Sequence, residues 1–248
     1  MYAFVRRLQG IARLVLHGEL GAAVRRIRAA LWSDGTSIRL ERDLSRPFVA
    51  PAATIPINIR PLRDTDLPAL LGLRADGVSS EERVDRERRA RLVGARLPTA
   101  YVAVAGDGAP CYVQWLIGAE HNQRIHQVWN GEFPMLAVGE ALLEGAFTPE
   151  AFRGRRIMPA AMARIAEKAS ERGARRVVTF VTDDNIASLK GCARAGFMPV
   201  SARRISRRLF RTVVTPIPVP DGTWQHFTDA STSPPLPTLD VPVLAEER

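Results

Sequence analysis

The chain has almost no lysine. Lys168 and Lys190 are the only two, so nearly all of the 35 basic residues are arginines, set against 26 acidic ones for a net charge of +9. Cysteine is scarce too: Cys111 and Cys192 allow at most one bridge, which excludes a disulfide-built fold and suits free thiols in a reducing compartment. No uninterrupted apolar run reaches the roughly 18 residues that cross a bilayer. No G-x-x-x-x-G-K-S/T or G-x-G-x-x-G loop is present, which removes the commonest nucleotide signatures. Aromatic residues make up only 6%, and no finger or helix-turn-helix pattern accompanies the positive charge, which argues against nucleic-acid readout.

What is there describes a globular protein. A hydrophobic share of 46% and a mean hydropathy of −0.07 over 248 residues fit one domain with extensions. Arg6, Arg7 and Arg13 interrupt the apolar start, making it a poor secretory signal and a cytoplasmic location the expectation. Residues 4–32 carry apolar positions at helical spacing with arginines between them. That is the pattern of two short amphipathic helices, which either pack on their own domain or lie on an anionic membrane as a peripheral contact.

The organisation expected from the pattern is a helical extension over 1–32, a linker with an extra edge strand over 33–56, a compact domain over 57–215 and a proline-rich tail over 216–248 that is extended or disordered. Within the domain, "INIRPLRDTDLPALLGL" reads as a strand followed by a helix start, and "SSEERVDRERRARLVGARL" as a charged, Ser-capped helix with a wet face. "TAYVAVA" and "PCYVQWLIGA" flank a GDGA turn and read as a hairpin. "EHNQRIHQVWNGEFPMLAVG" reads as a loop or lid. "EALLEGAF" then leads through a proline-marked junction into an alanine-rich helix that ends at Gly173, and "RRVVTFVT" is a buried strand of the kind found in parallel pairing. Asp183 and Asp184 are expected to cap the helix that follows.

The junction "FTPEAFRGRRIMPAAM" sets three arginines around Gly154 just before a helix. Unpaired amides and the helix dipole make such a place an anion site, and a glycine lets a ligand come close to the backbone. His121 and His126 are five apart with no further ligand, so no metal site is expected.

Taken with "NIASLKGCARAGF" further on, this junction resembles the GCN5-related N-acetyltransferases (GNAT), a superfamily that moves an acyl group from coenzyme A to an amine. "PEAFRGRRIM" is similar to that family's R/Q-x-x-G-x-G/A pyrophosphate loop, and the second segment to its Asn-containing helix ending in Gly-Phe. The resemblance spans about residues 57–214. It implies an α/β fold (mixed α+β) with a central, mixed, splayed sheet flanked by helices, to which the N-terminal helices and the tail are additions.

It also implies acetyl-CoA as cosubstrate, no metal, a primary amine of a small molecule or sugar as acceptor, and direct attack in a ternary complex. Oligomeric state is open, a dimer included. The implied cofactor-binding residues are Ala146, Phe147 and Thr148 for the pantetheine and acetyl carbonyl, Arg153, Gly154, Arg155, Arg156, Ile157 and Met158 for the pyrophosphate, and Asn185 with Ser188 on the opposite side. A strand carboxylate often serves as base in this family, so Glu144 is the first candidate and Glu140 the second. Cys192 stands where many members carry an acidic tyrosine. Arg156 and Met158 stand where glycines are usual. Tyr112, Trp115 and Trp129 either line the acceptor pocket or fill the core. Two other readings of the charge stay in view: a CoA-binding module at a membrane without catalysis, and a basic nucleic-acid-binding protein.

Overall fold

The computed structural model describes residues 32–72, 77–208 and 211–227. The helical extension expected over 4–32 falls outside them except for Trp32, as does the tail beyond Phe227. The strands are β1 (Trp32–Asp43), β2 (Ile57–Pro61), β3 (Ala100–Ala105), β4 (Pro110–Gly118), β5 (Glu140–Phe147), β6 (Arg176–Thr182), β7 (Met198–Arg208) and β8 (Arg211–Ile217). Among the described residues six α-helices accompany them: α1 (Leu67–Leu71), α2 (Ser80–Gly94), α3 (Asn122–Val128), α4 (Ile157–Ser170), α5 (Ile186–Arg194) and α6 (Asp221–Trp224). Together they build the mixed α/β architecture expected.

All eight strands form one sheet in the order β2-β3-β4-β5-β6-β1-β7-β8. Only β5 and β6 run parallel; every other neighbouring pair is antiparallel. The sheet has an apolar layer on each face. On one, α4 and α5 bury Ile157, Ala161, Met162, Ile165 and Leu189 against Leu143, Val177 and Phe197. On the other, Leu70, Leu71 and Ile125 cover Trp115, Leu142 and Val178.

β1 corrects the expected layout. It is no edge strand: it lies inside the sheet, paired from Ser37↔Thr182 to Asp43↔Arg176 on one side and from Trp32↔Arg208 to Glu41↔Met198 on the other. Its alternation explains why. Ile38 and Leu40, both 0% exposed, and buried Arg42 face α4 and α5, while Arg39 and Glu41 face the other way. Arg42 donates to the Ala163 carbonyl at 3.0 Å, pairs with Glu167 at 3.5 Å and stacks on Phe48, so a charge inside the core has partners. A segment read as linker because it is polar and proline-punctuated thus supplies a central strand.

Two further expectations change. The segment after β4 is not a bare loop: a 3-10 turn at Ala119–His121 leads into the short helix α3, whose single buried residue, Ile125, gave no periodicity to read. The start of the tail is packed, since Pro216 and Ile217 belong to β8 and Phe227 is buried in the α4/α5 layer. The charged helix α2 has the wet face expected, with Glu81, Arg83, Arg88 and Arg91 exposed, while Glu82 and Arg86 are both buried and paired at 2.6 Å.

If β1 is integral, Leu40→Ala lowers the unfolding free energy by about 2–5 kcal/mol in urea titration. A chain lacking residues 1–45 should then show no cooperative unfolding. Full stability in either would mean that β6 and β7 hold without it.

Candidate active site

β5 and β6 part company. Their pairing runs only through Glu140↔Arg176, Ala141↔Val177 and Leu142↔Val178. Beyond that, β5 stays with β4 as far as Val113↔Phe147, and β6 stays with β1 as far as Ser37↔Thr182. The opening falls between residues 143–147 and 179–182.

A bulge bends β5 at the opening. The register against β4 shifts between Val113 and Trp115, and Gly145 has φ +70°. A Cβ at 145 would lie 2.7 Å from Leu92 and 2.9 Å from Trp115, so this position demands glycine on two counts. Helix α2 fastens the bulge. Arg89 donates to the Ala146 carbonyl at 2.7 Å and to that of Gly145 at 3.4 Å, and Glu82 accepts the Glu150 amide at 2.7 Å. Nothing in the pattern of α2 pointed to Arg89.

Past Phe147 the chain makes a 3-10 turn at Glu150–Phe152 and enters α4. Gly154 has φ +76°, and a side chain there would meet nothing within 4 Å. Arg156, at the helix N-cap, holds a left-handed φ of +54°. The backbone therefore keeps the shape that glycine adopts freely, at a steric cost of roughly 1–2 kcal/mol. Arg153, Arg155 and Arg156 are all exposed around this turn; Arg153 reaches the Thr148 carbonyl at 3.3 Å and Arg155 stacks on Phe152. Ile157 is buried, and Met158 sets its sulfur over Gly191 of α5.

Asn185 caps α5, its side chain accepting the Ser188 amide at 3.1 Å. The cap is therefore Asn185, not Asp183 or Asp184, which sit exposed at the turn. Residues 144–148, 153–158 and 185–188 are thus carried by the ends of β5 and β6 and by the two helix starts that follow them.

The three candidate catalytic groups occupy different surroundings. Glu144 stands two residues past the last β5–β6 pair, at the lip of the opening. Burial pushes its carboxyl above the usual range, against the pull of the Gly145 amide and of Arg89 and Arg203. Glu140 is at the paired end, held by Arg39 at 2.8 Å and Arg176 at 3.5 Å and accepting the Ala137 amide at 3.0 Å. Cys192 is 1% exposed, 3.8 Å from the Met162 sulfur, and burial pushes its thiol to about 12. Tyr112 and Trp115 are core residues; the Tyr112 hydroxyl donates to Gln114 at 2.7 Å, and Trp129 packs edge-on to Phe133.

A cavity of about 550 Å³ lies elsewhere, between the start of β5 and the end of α4, lined by Glu120, Gly139 and Gly173 among others. It sits at the paired end of β5, away from the opening and from the starts of α4 and α5. Among the described residues no cluster of three metal-ligating side chains occurs, and no helix is long and apolar enough to cross a membrane.

Comparisons with known proteins agree with this geometry. Residues 115–197, from β4 to the start of β7, match the model of the acetyltransferase (GNAT) family. Among solved structures, the chain is similar to the GCN5-related glucosamine N-acetyltransferase region of a fungal multi-domain GH3 beta-N-acetylglucosaminidase. That match has a TM-score of 0.50 at 14% identity, over 75% of this chain and 22% of that one. It is also similar to a GNAT-family acetyltransferase from Colwellia psychrerythraea (TM-score 0.47, 14% identity, 76% and 61% covered) and to a GCN5-related N-acetyltransferase from Sphaerobacter thermophilus (0.44, 17%, 77% and 57%). The chain spans no more than 61% of the length of any of these three. No curated protein matches significantly. The opened parallel seam, the β5 bulge and the helix-start loop all lie within residues 115–197, the stretch that matches the GNAT acetyltransferase family.

Proposed function

We propose that the protein is an acetyl-CoA-dependent N-acetyltransferase that acylates a primary amine by direct attack. The observation that carries this reading is the parting of β5 from β6 after Leu142 and Val178, with a carboxyl of raised pKa on one lip and an arginine-rich helix start beyond it. A thioester supplies the activated acyl group; the chain's task is to hold it and to manage protons.

The turn at 153–158 suits a pyrophosphate. Gly154 leaves open space beside the backbone, the first-turn amides of α4 have no intrahelical acceptors, and three exposed guanidiniums stand around them. Pro159 removes one amide, in the first turn where none would be bonded within the helix. Met158 fills a place that glycine usually leaves bare, yet its sulfur lies over Gly191, packed toward α5. Asn185, exposed at the end of the other strand, would meet the pantetheine across the opening, with its amide nitrogen left over from capping.

Glu144 is the base in this scheme. An ammonium acceptor must lose a proton before its lone pair can attack, and a carboxylate of raised pKa at the lip takes that proton directly or through water. The C–N bond forms as the C–S bond breaks, and the leaving thiolate takes up a proton from solvent or from the nitrogen. Glu140 instead ties β5 to β1 and β6. A thiol near 12, fully covered, makes Cys192 a packing residue rather than an acid.

The sign of the pH effect follows. Glu144 must be ionised to act, so kcat/KM falls with unit slope as pH drops through its raised pKa. Glu144→Gln should remove that limb and cost about 10²–10⁴-fold in rate, the usual contribution of a positioned base. Because the fold favours the protonated form, ionised Glu144 destabilises it as pH rises. Glu144→Gln should therefore melt no lower than wild type at neutral pH. A preserved acid limb in this variant would remove Glu144 from the role.

Two substitutions separate phosphate binding from loop shape. Arg153→Ala should weaken CoA binding by about 10-fold or more in calorimetry, as expected for loss of a charge-assisted hydrogen bond. Arg156→Gly should raise stability by about 1 kcal/mol through relief of the left-handed residue, with CoA binding retained. Unchanged CoA affinity in Arg153→Ala would contradict the phosphate role.

A further inference from the structure

Arg203 is a half-buried cation with no carboxylate partner among the described residues. It lies on β7 opposite Ser37 of β1, its guanidinium 4.2 Å from the Phe180 ring centre and 5.0 Å from that of Phe133. One terminal nitrogen donates to the Glu132 carbonyl, and its buried Nε has no partner. The carboxylate of Glu132 is taken by Arg207, which reaches both oxygens at 2.9 Å. Arg39, another neighbouring cation, is occupied by Glu41 and Glu140. Among the described residues Arg203 takes part in no ion pair, although aromatic faces partly replace the water it has lost. A side chain with five donors in a rigid fork is here using one.

Its position gives this meaning. Leu142 pairs with Val178, so in register Glu144 and Phe180 are the residues two further along on either side of the opening. Arg203 stacks on Phe180, which places its charge beside the lip that carries Glu144. The two charges act on one another, as each shifts the other's titration, yet no hydrogen bond joins them. Burial draws the Arg203 pKa down to about 10, which leaves it protonated at neutral pH. The loop 129–139, through Trp129, Phe133 and Glu132, walls the spot from outside.

We infer that Arg203 receives the carboxylate of the acyl acceptor, so that the substrate is an amino acid whose amine lies toward Glu144. A planar carboxylate satisfies Nε and a terminal nitrogen together, and one guanidinium balances one negative charge. A phosphate would bring more charge than this spot offers, because the other cations beside it are already paired. An alkylamine or an amino sugar would leave the covered Nε without an acceptor, which is how a site rejects a substrate lacking the group it was built to bind. This rests on the acyl-transfer reading above and names the substrate class for the same opening.

The test uses matched pairs: L-amino acids and the amines left by their decarboxylation, with thiol release from acetyl-CoA as readout and phosphoethanolamine as a phosphate probe. In the best pair the amino acid should have a kcat/KM about 10- to 100-fold higher, the range of a charge-assisted hydrogen bond. Arg203→Met should bring that ratio close to one without changing the KM for acetyl-CoA, and Arg203→Lys should restore it in part. Equal use of both members, preference for phosphoethanolamine, or a ratio unmoved in Arg203→Met would overturn the inference. The wild-type comparison decides by itself if Arg203→Met does not fold. Should no amine be acylated at all, the acyl-transfer reading fails separately. Calorimetric titration of the CoA-saturated protein with the same amino acids then judges Arg203: binding that disappears in Arg203→Met and is kept in part in Arg203→Lys supports it, and no binding rejects it.

Discussion

The tearing of the sheet along its single parallel seam is the constraint from which the rest follows. Each strand at the seam has a stronger claim from its outer neighbour: β5 keeps its bonds to β4 through Phe147, and β6 keeps its bonds to β1 through Thr182. The bulge at Gly145 and the clamp of Arg89 on the Gly145 and Ala146 carbonyls draw β5 one way. β1, anchored by Ile38, Leu40 and Arg42, holds β6 the other way. Backbone groups that would pair in a closed sheet are left to face an opening. Such groups are costly to bury without partners, so an opening of this kind is maintained only by the elements on either side of it.

The electrostatics are arranged around that opening in two parts. On the side of α4 and α5 the positive charge is exposed, with Arg153, Arg155 and Arg156 beside a helix start, where a highly charged group can be met while still hydrated. Beside the 129–139 loop the charges nearest the opening are few and partly covered. Glu144 is pushed toward its protonated form, and Arg203 lies against two phenylalanine rings. The division suits a reaction with two substrates, one large and polyanionic and the other small. The arginine bias of the whole chain, by contrast, is mostly structural: Arg42, Arg60, Arg86, Arg89 and Arg207 all serve partners within the fold.

Much of this was readable in the sequence, and what was not had physical causes. The β5-loop-α4-β6 succession could be read because long alanine-rich and β-branched runs carry strong periodicity, and the junction residues sit between them. The role of β1 was hidden because a strand of twelve residues with Gly35 and several charges reads like an edge, and only its partners reveal that both of its sides are bonded. Arg89 and Arg203 were equally hidden. Each belongs to a segment full of arginines, and what distinguishes them is which carbonyl or ring they reach across 57 residues in one case and across 23 or 70 in the other. The left-handed φ at Arg156 shows how a departure from the family's glycine can leave loop shape intact.

The account turns on where coenzyme A binds, and amide hydrogen exchange with and without it addresses that most directly. Slowed exchange confined to residues 143–148 and 154–158, at the opened end of β5 and the start of α4, is the predicted result. Unchanged exchange there, with protection instead around Gly118, Gly139 and Gly173 at the paired end of β5, would contradict it.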